Sequence, residues 1–209
     1  MVISMNVSEQ TVSKQETIKI GFAVTGSFCT FKKAFEAAGE LVKKGYDLTP
    51  IMSFNSAGIS SRFGTAEEHK KELSKICSKP VIATIEQAEP IGPKKMFDLL
   101  VVAPCTSNTL AKLALGVNDT PVTMAVKSHL RNQRPVVIAV STNDALTSSA
   151  KNIGALLNYK NFYFVPYGQD EPVSKPASMI ADFSMLLRTV ENALVGKQLT
   201  PIVKESSSF

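Results

Sequence analysis

Three apolar runs without polar alternation constrain this chain more than anything else in it: "IKIGFAV" at 18–24, "LLVVA" at 99–103 and "VVIAV" at 136–140. A strand with one face in water alternates polar and apolar residues, so unbroken Val, Ile and Leu runs belong to strands covered on both faces. The sequence predicts strands at 18–26, 46–54, 98–105, 134–141 and 161–168, and helices at about 31–44, 65–78, 108–115, 120–133, 145–158 and 178–196. Thr65 and Glu68 have the spacing of a capping box, and Pro121 suits a first helical turn. Strands alternating with helices imply a three-layer, doubly wound α/β fold around a parallel sheet.

The 209 residues are enough for one well-cored domain. Residues 18–197 carry the strand and helix pattern, 55–64 reads as a loop, and 1–17 and 198–209 read as tails. Twenty-three Lys and Arg against 18 Asp and Glu give a net charge of +5. The basic residues are scattered, so no nucleic-acid stripe is expected. Three cysteines, Cys29, Cys77 and Cys105, form no CxxC pair, which argues against a disulfide framework and against a metal site. No apolar run approaches the roughly 18 residues that cross a bilayer, so the expectation is a cytoplasmic chain with no membrane partner.

Two phosphate-loop patterns fail on inspection. "GFAVTGS" at 21–27 has Walker-like glycine spacing, but Ser27 and Phe28 stand where Lys and Ser or Thr are needed. Gly21 also falls inside the first strand, where a small residue permits close packing. A dinucleotide fold needs an acid at the end of the second strand, and "MSFNS" has none. What remains at Gly26 and Ser27 is a strand-to-helix turn that suits a monophosphate.

The expected strand ends near Gly26, Ser53, Ala103 and Val140 share the carboxyl edge of the sheet, where open α/β folds bind ligands. Each is followed by small or hydroxyl residues: Ser27, then Asn55 and Ser56, then Thr106 and Ser107, then Ser141, Thr142 and Asn143. Such residues are also the preferred helix caps, so any one edge alone carries little. "APCTSNTLAKLALGVNDTP" at 103–121 goes further, because Pro104 removes a donor while Asn108 offers both donor and acceptor beside several hydroxyls. That chemistry suits a heteroaromatic ring joined to a polyhydroxy chain and a phosphate.

Pro104, Cys105, Thr106, Ser107, Asn108 and Thr109 resemble the "PASANT" motif of the superfamily of flavin-containing cysteine decarboxylases. "VTGS" after the first strand and "AVSTN" at 139–143 continue the resemblance over about 18–168. It implies a Rossmann-like flavoprotein fold with FMN as cofactor. Its phosphate contacts would come from Gly26, Ser27, Phe28 and Ser53, and its flavin or ribityl contacts from Pro104 to Thr109 and from Ser141, Thr142 and Asn143. Homo-oligomers are implied as well.

Val140, Ser141 and Thr142 replace the superfamily's Pro-Ala-Met before Asn143, and the decarboxylases' substrate clamp is not recognisable. "FAVTGSFCTF", "STNDAL" and "FVPYGQDEP" are most similar to a branch from spore-forming bacteria. That branch implies formation of pyridine-2,6-dicarboxylate in the mother cell, together with a nicotinamide-binding partner that would hold NAD(P). The alternatives are an FMN-dependent decarboxylase of a cysteine-derived carboxylate, or a non-catalytic partner subunit of the same fold.

The catalytic candidates are Asn108, Asn143 and His69, the last being the one histidine in the segment where the decarboxylases carry theirs. "EEHKKE" and "VKSHLRN" nevertheless read as solvated helix faces for His69 and His129. A dicarboxylate calls for forked cations, and Arg62 is the best placed of four arginines; Arg131 and Arg134 should lie at the opposite edge. Cys29 and Cys105 read as small buried residues, and Asp144 and Asp170 as possible bases or subunit contacts.

Overall fold

The computed structural model describes residues 17–204. Expectations for residues 1–16 and 205–209, the outer parts of the two tails, lie outside the described residues.

Five strands run parallel: β1 (Lys19–Val24), β2 (Asp47–Met52), β3 (Leu99–Cys105), β4 (Val136–Thr142) and β5 (Phe162–Phe164). Every residue of β3 is buried, as is β4 up to Ser141, which is what runs without alternation require. Two short strands, β6 (Tyr167–Gly168) and β7 (Met179–Ala181), join antiparallel, giving a seven-stranded sheet ordered β2-β1-β3-β4-β7-β6 with β5 also paired to β4. β4 therefore changes partner along its length: Val136 to Ile138 face β5, whereas Ser141 and Thr142 face β7.

Helices α1 (Phe31–Lys43), α2 (Phe54–Gly58), α3 (Ala66–Cys77), α4 (Ile85–Ala88), α5 (Ser107–Leu115), α6 (Pro121–Leu130), α7 (Ala150–Asn158) and α8 (Leu186–Leu194) fall into two packing groups. α1 packs against α3 and α8, while α6 packs against α4 and α5, and α5 against α7. The buried stripe of α1, Phe31, Ala34, Phe35, Ala38 and Leu41, has the spacing of one helix face. The capping box at Thr65 and Glu68 forms as expected at the start of α3.

Four expectations need correction. The loop at 55–64 opens as α2, because Ser53 caps it by accepting from the Ser56 N–H at 3.2 Å. The helix expected from Ala145 starts at Ala150, because Asp144 captures the hydroxyls of Thr142, Ser148 and Ser149 and holds a turn instead. The strand expected over 161–168 breaks into β5 and β6 around Pro166. The closing helix expected from 178 begins as β7, whose Met179 and Ala181 are buried, and becomes helical only after Asp182 caps the turn at Phe183.

Within the expected C-terminal tail, residues 198–204 lie against the sheet. The Gln198 side chain bonds the N–H and C=O of Phe164 at 2.7 Å each, and Val203 bridges Tyr167. Gly21 is packed under the Phe97 ring, where a Cβ would sit 2.7 Å from ring carbons.

Candidate functional site

The carboxyl ends of β1 to β4 converge on one edge, and hydroxyl side chains stitch them together. Thr25 Oγ1 donates to the Pro104 carbonyl at 2.8 Å and accepts from the Thr106 N–H at 3.0 Å, tying the end of β1 to the turn between β3 and α5. The Thr106 hydroxyl lies 3.3 Å from those of Thr25 and Thr109. Ser27 and Ser141 share a hydroxyl bond of 2.9 Å, which links the β1 turn to the end of β4. Each such bond contributes about 1 kcal/mol, and together they fix the rim of a cavity.

Two neighbouring cavities, or chambers, lie along that rim. The first, about 460 Å³, is lined by Gly26, Ser27, Phe28, Cys29, Arg62, Phe63, Thr106, Ser107, Ser141, Thr142 and Asn143, with Asp170, Lys175 and Ser178 on the β6–β7 side. The second, about 380 Å³, is lined by Gly26, Ser53, Asn55, Thr106, Asn108, Thr109, Lys112, Asp119 and Thr120. Gly26 and Thr106 border both. Pro104 and Cys105 line neither: both are buried in β3 behind the wall, at a register shift that contains the cis Ala103–Pro104 bond.

Donors face these chambers without protein partners. The backbone N–H groups of Gly26, Phe28 and Cys29, and those of Ser107, Asn108 and Thr109 in the first turn of α5, meet no acceptor among the described residues. The Asn108 and Asn143 side chains are exposed and likewise uncommitted. Helix N-termini carrying free N–H groups attract anions, and the surrounding hydroxyls suit a polyol chain. FMN presents a phosphate, a ribityl chain and a heteroaromatic edge, so its chemistry fits these donors.

Both chambers carry charged side chains, Arg62, Asp170 and Lys175 on the first and Lys112 and Asp119 on the second. The Arg62 guanidinium lies over the neighbouring Phe63 ring at 4.9 Å and has no carboxylate partner among the described residues. Lys175 is held by Glu171 at 2.9 Å and Asp170 at 3.5 Å. Burial pushes the Asp170 carboxyl up, but bonds from Ser178, its own backbone and Lys175 outweigh it and leave the group below the usual carboxylate range. For Asp144 too, burial is outweighed by the hydroxyls of Thr142, Ser148 and Ser149, so its carboxylate is an engaged acceptor. The Cys105 thiol is pushed far up by complete burial and is inert, whereas Cys29 is exposed on the first chamber, 3.8 Å from Ser27 Oγ.

The two histidines depart from the expected solvated faces. His69 is buried at 6% exposure between Phe31 and Phe35, with centroid distances of 4.9 and 6.2 Å, and lines neither chamber. α3 turns this residue inward with Leu73, and the charged neighbours that suggested solvent lie on its other faces. His129, at 1% exposure, points inward from α6, where Nε2 meets the Pro135 carbonyl at 3.1 Å. Arg134 bonds Phe97 and Asp98 at the amino edge, as its place before β4 predicts. Sequence reasoning missed Phe63, Lys175, Lys112 and Asp119. The first two sit on irregular loops that only the fold brings to the rim, and Lys112 pairs with Asp119 at 2.7 Å across the end of α5.

The model of the family described as Flavoprotein matches residues 8–189. The chain is 43% identical over 188 residues to the dipicolinate synthase B subunit of Bacillus subtilis, covering 90% of this chain and 94% of that protein. A crystal structure of the dipicolinate synthase B subunit from Bacillus halodurans C superposes with a TM-score of 0.83 at 39% identity, covering 90% of this chain and 97% of the other. The FMN-dependent cysteine decarboxylase SpaF, at 19% identity and a TM-score of 0.63, shares the fold over 84% of this chain and 97% of its own. Among the described residues, no helix is long and apolar enough to cross a membrane and no group of His, Cys, Asp and Glu is arranged to hold a metal. The chain belongs to the Flavoprotein family, alongside the dipicolinate synthase B subunits.

Proposed function

We propose that this chain serves as the B subunit of a dipicolinate synthase, forming pyridine-2,6-dicarboxylate from a dihydrodipicolinate-type precursor. In this reading it works with the A subunit of dipicolinate synthase, which holds NAD(P), as a homo-oligomer in the cytoplasm of the mother cell of a sporulating bacterium. The likeness to the Bacillus subtilis protein over nearly the whole of both chains carries the reading. Aromatising the ring moves one hydride to the nicotinamide and releases one proton. This chain has no acid at the end of β2 to grip a nicotinamide ribose, which is consistent with that cofactor residing on the partner.

Arg62 is the residue assigned to a substrate carboxylate, because it is a forked cation at the chamber rim without an internal acid. Free N–H groups at Gly26, Phe28 and Cys29 and at the start of α5 would hold the FMN phosphate, with the hydroxyls of Ser27, Thr106 and Ser141 near the ribityl chain. FMN, when bound, supplies a redox-active ring at this edge. Asn108 and Asn143 would orient carbonyl and ring-nitrogen edges by hydrogen bonds. The reading as a decarboxylase of a cysteine-derived carboxylate has less support, since its imidazole candidate, His69, is packed behind Gly64.

The test is to purify the chain by itself and together with its proposed A partner. The pair is expected to reduce NADP in the presence of dihydrodipicolinate while neither chain does so singly, and a pair without that activity overturns the assignment. Absorption at the flavin bands, or quenching of added FMN, tests the cofactor separately. A colourless protein that leaves FMN fluorescence unchanged removes the flavin from the reading.

A further inference from the structure

His69 Nε2 is the one buried side-chain nitrogen or oxygen without a hydrogen-bond partner among the described residues. Buried polar atoms are normally paired, so an exception needs a reason. Its ring stands edge-on to Phe31 and Phe35, and on the other side it presses against Gly64, where a Cβ would lie 2.8 Å from Cε1 and 3.0 Å from Nε2. Gly64 has φ +137° and closes a tight turn in which Ser61 and Gly64 exchange backbone bonds of 2.9 and 3.1 Å. The tip of that turn is Arg62 and Phe63, both on the first chamber.

We propose that His69 is a positioning residue: its imidazole is a wedge under Gly64 that holds the Ser61–Gly64 turn in the one arrangement that presents Arg62 to a substrate carboxylate. The inference rests on the proposed dicarboxylate substrate and adds to it. A ring of this size fills the space between α1 and the turn, and a smaller residue leaves a gap into which the turn relaxes. Arg62 is then free to leave the chamber, since no internal acid retains it. Gly64 follows from the same geometry, because any side chain there collides with the ring.

Binding of pyridine-2,6-dicarboxylate to the full-length chain, followed by titration calorimetry, tests this through a mutant cycle. Arg62→Ala is expected to weaken binding about tenfold or more, the loss of a charge-assisted bond. His69→Ala should approach that loss, the double variant should be no weaker than Arg62→Ala, and His69→Leu, which is close to imidazole in volume and keeps the wedge, should restore most of the affinity. Should His69→Ala fail to fold, Gly64→Ala displaces the turn from outside and should weaken binding only while Arg62 is present. Additive effects of Arg62 with either position, or undiminished binding in His69→Ala, overturn the positioning role while leaving the dicarboxylate reading intact. A wild-type chain that binds no dicarboxylate overturns both.

Discussion

At the scale of single residues, burial decides more than local sequence does. His129 lies among apolar neighbours on α6, and desolvation pushes its imidazole down to about 4, opposed only in part by the Pro135 carbonyl. The unfolded chain, with an imidazole near 6.5, therefore holds more protons than the folded one as pH falls through this window. Stability is expected to be full above about 6.5, to decline by up to about 3 kcal/mol as pH drops to 4, and to level off below, for this group. Urea unfolding at pH 7 and pH 4 measures the decline, and a His129→Gln variant should show a smaller one. Neither histidine's burial was legible in the sequence, since "EEHKKE" and "VKSHLRN" have the composition of exposed helix. Which face a residue occupies is set by the packing of α3 on α1 and of α6 on α4, which no local window contains.

Among the elements, the parallel strands were the most legible. β1 from Ile20 onward, β3, and β4 up to Val140 are apolar because both their faces are covered, and that pattern survives any change of neighbours. Gly21 in β1 shows how close the covering is. Gly21→Ala is expected to cost roughly 1–3 kcal/mol through collision with the Phe97 ring, read as a lowered thermal midpoint, with loss of affinity at the distant carboxyl edge much smaller. The elements that escaped the sequence are short: α2, the Asp144 turn and β7 each have fewer than two helical turns or strand repeats. They depend on single side chains, Ser53 capping α2 and Asp144 collecting three hydroxyls, or on a neighbouring strand end, as β7 depends on Ser141 and Thr142. Of the 104–109 stretch, Thr106 to Thr109 border the two chambers, while Pro104 and Cys105 are buried behind them. On the β6–β7 wall the sequence singles out Asp170 but not Lys175, which reaches the rim only through that antiparallel pairing.

For the whole molecule, residues 198–204, beyond α8, are bonded to the sheet strands. Removing residues 198–209 strips Phe164 of its bonds to Gln198 and Tyr167 of its bridge to Val203. The truncated chain is expected to melt roughly ten degrees or more lower, since the two Gln198 bonds, the two backbone bonds between Tyr167 and residues 202 and 204, and the burial of Leu199 amount to about 4–7 kcal/mol. An unchanged melting temperature would show that the segment is dispensable. The change of partner along β4 has a broader consequence. Its first half is locked into the parallel array, where inserting residues would shift every neighbouring strand; its last two residues pair, as strand, only with β7. Chain length can grow or shrink between Gly168 and Met179 with the array undisturbed, so the β6–β7 side of the chamber that Arg62 also lines is where this architecture can be refitted to a different guest.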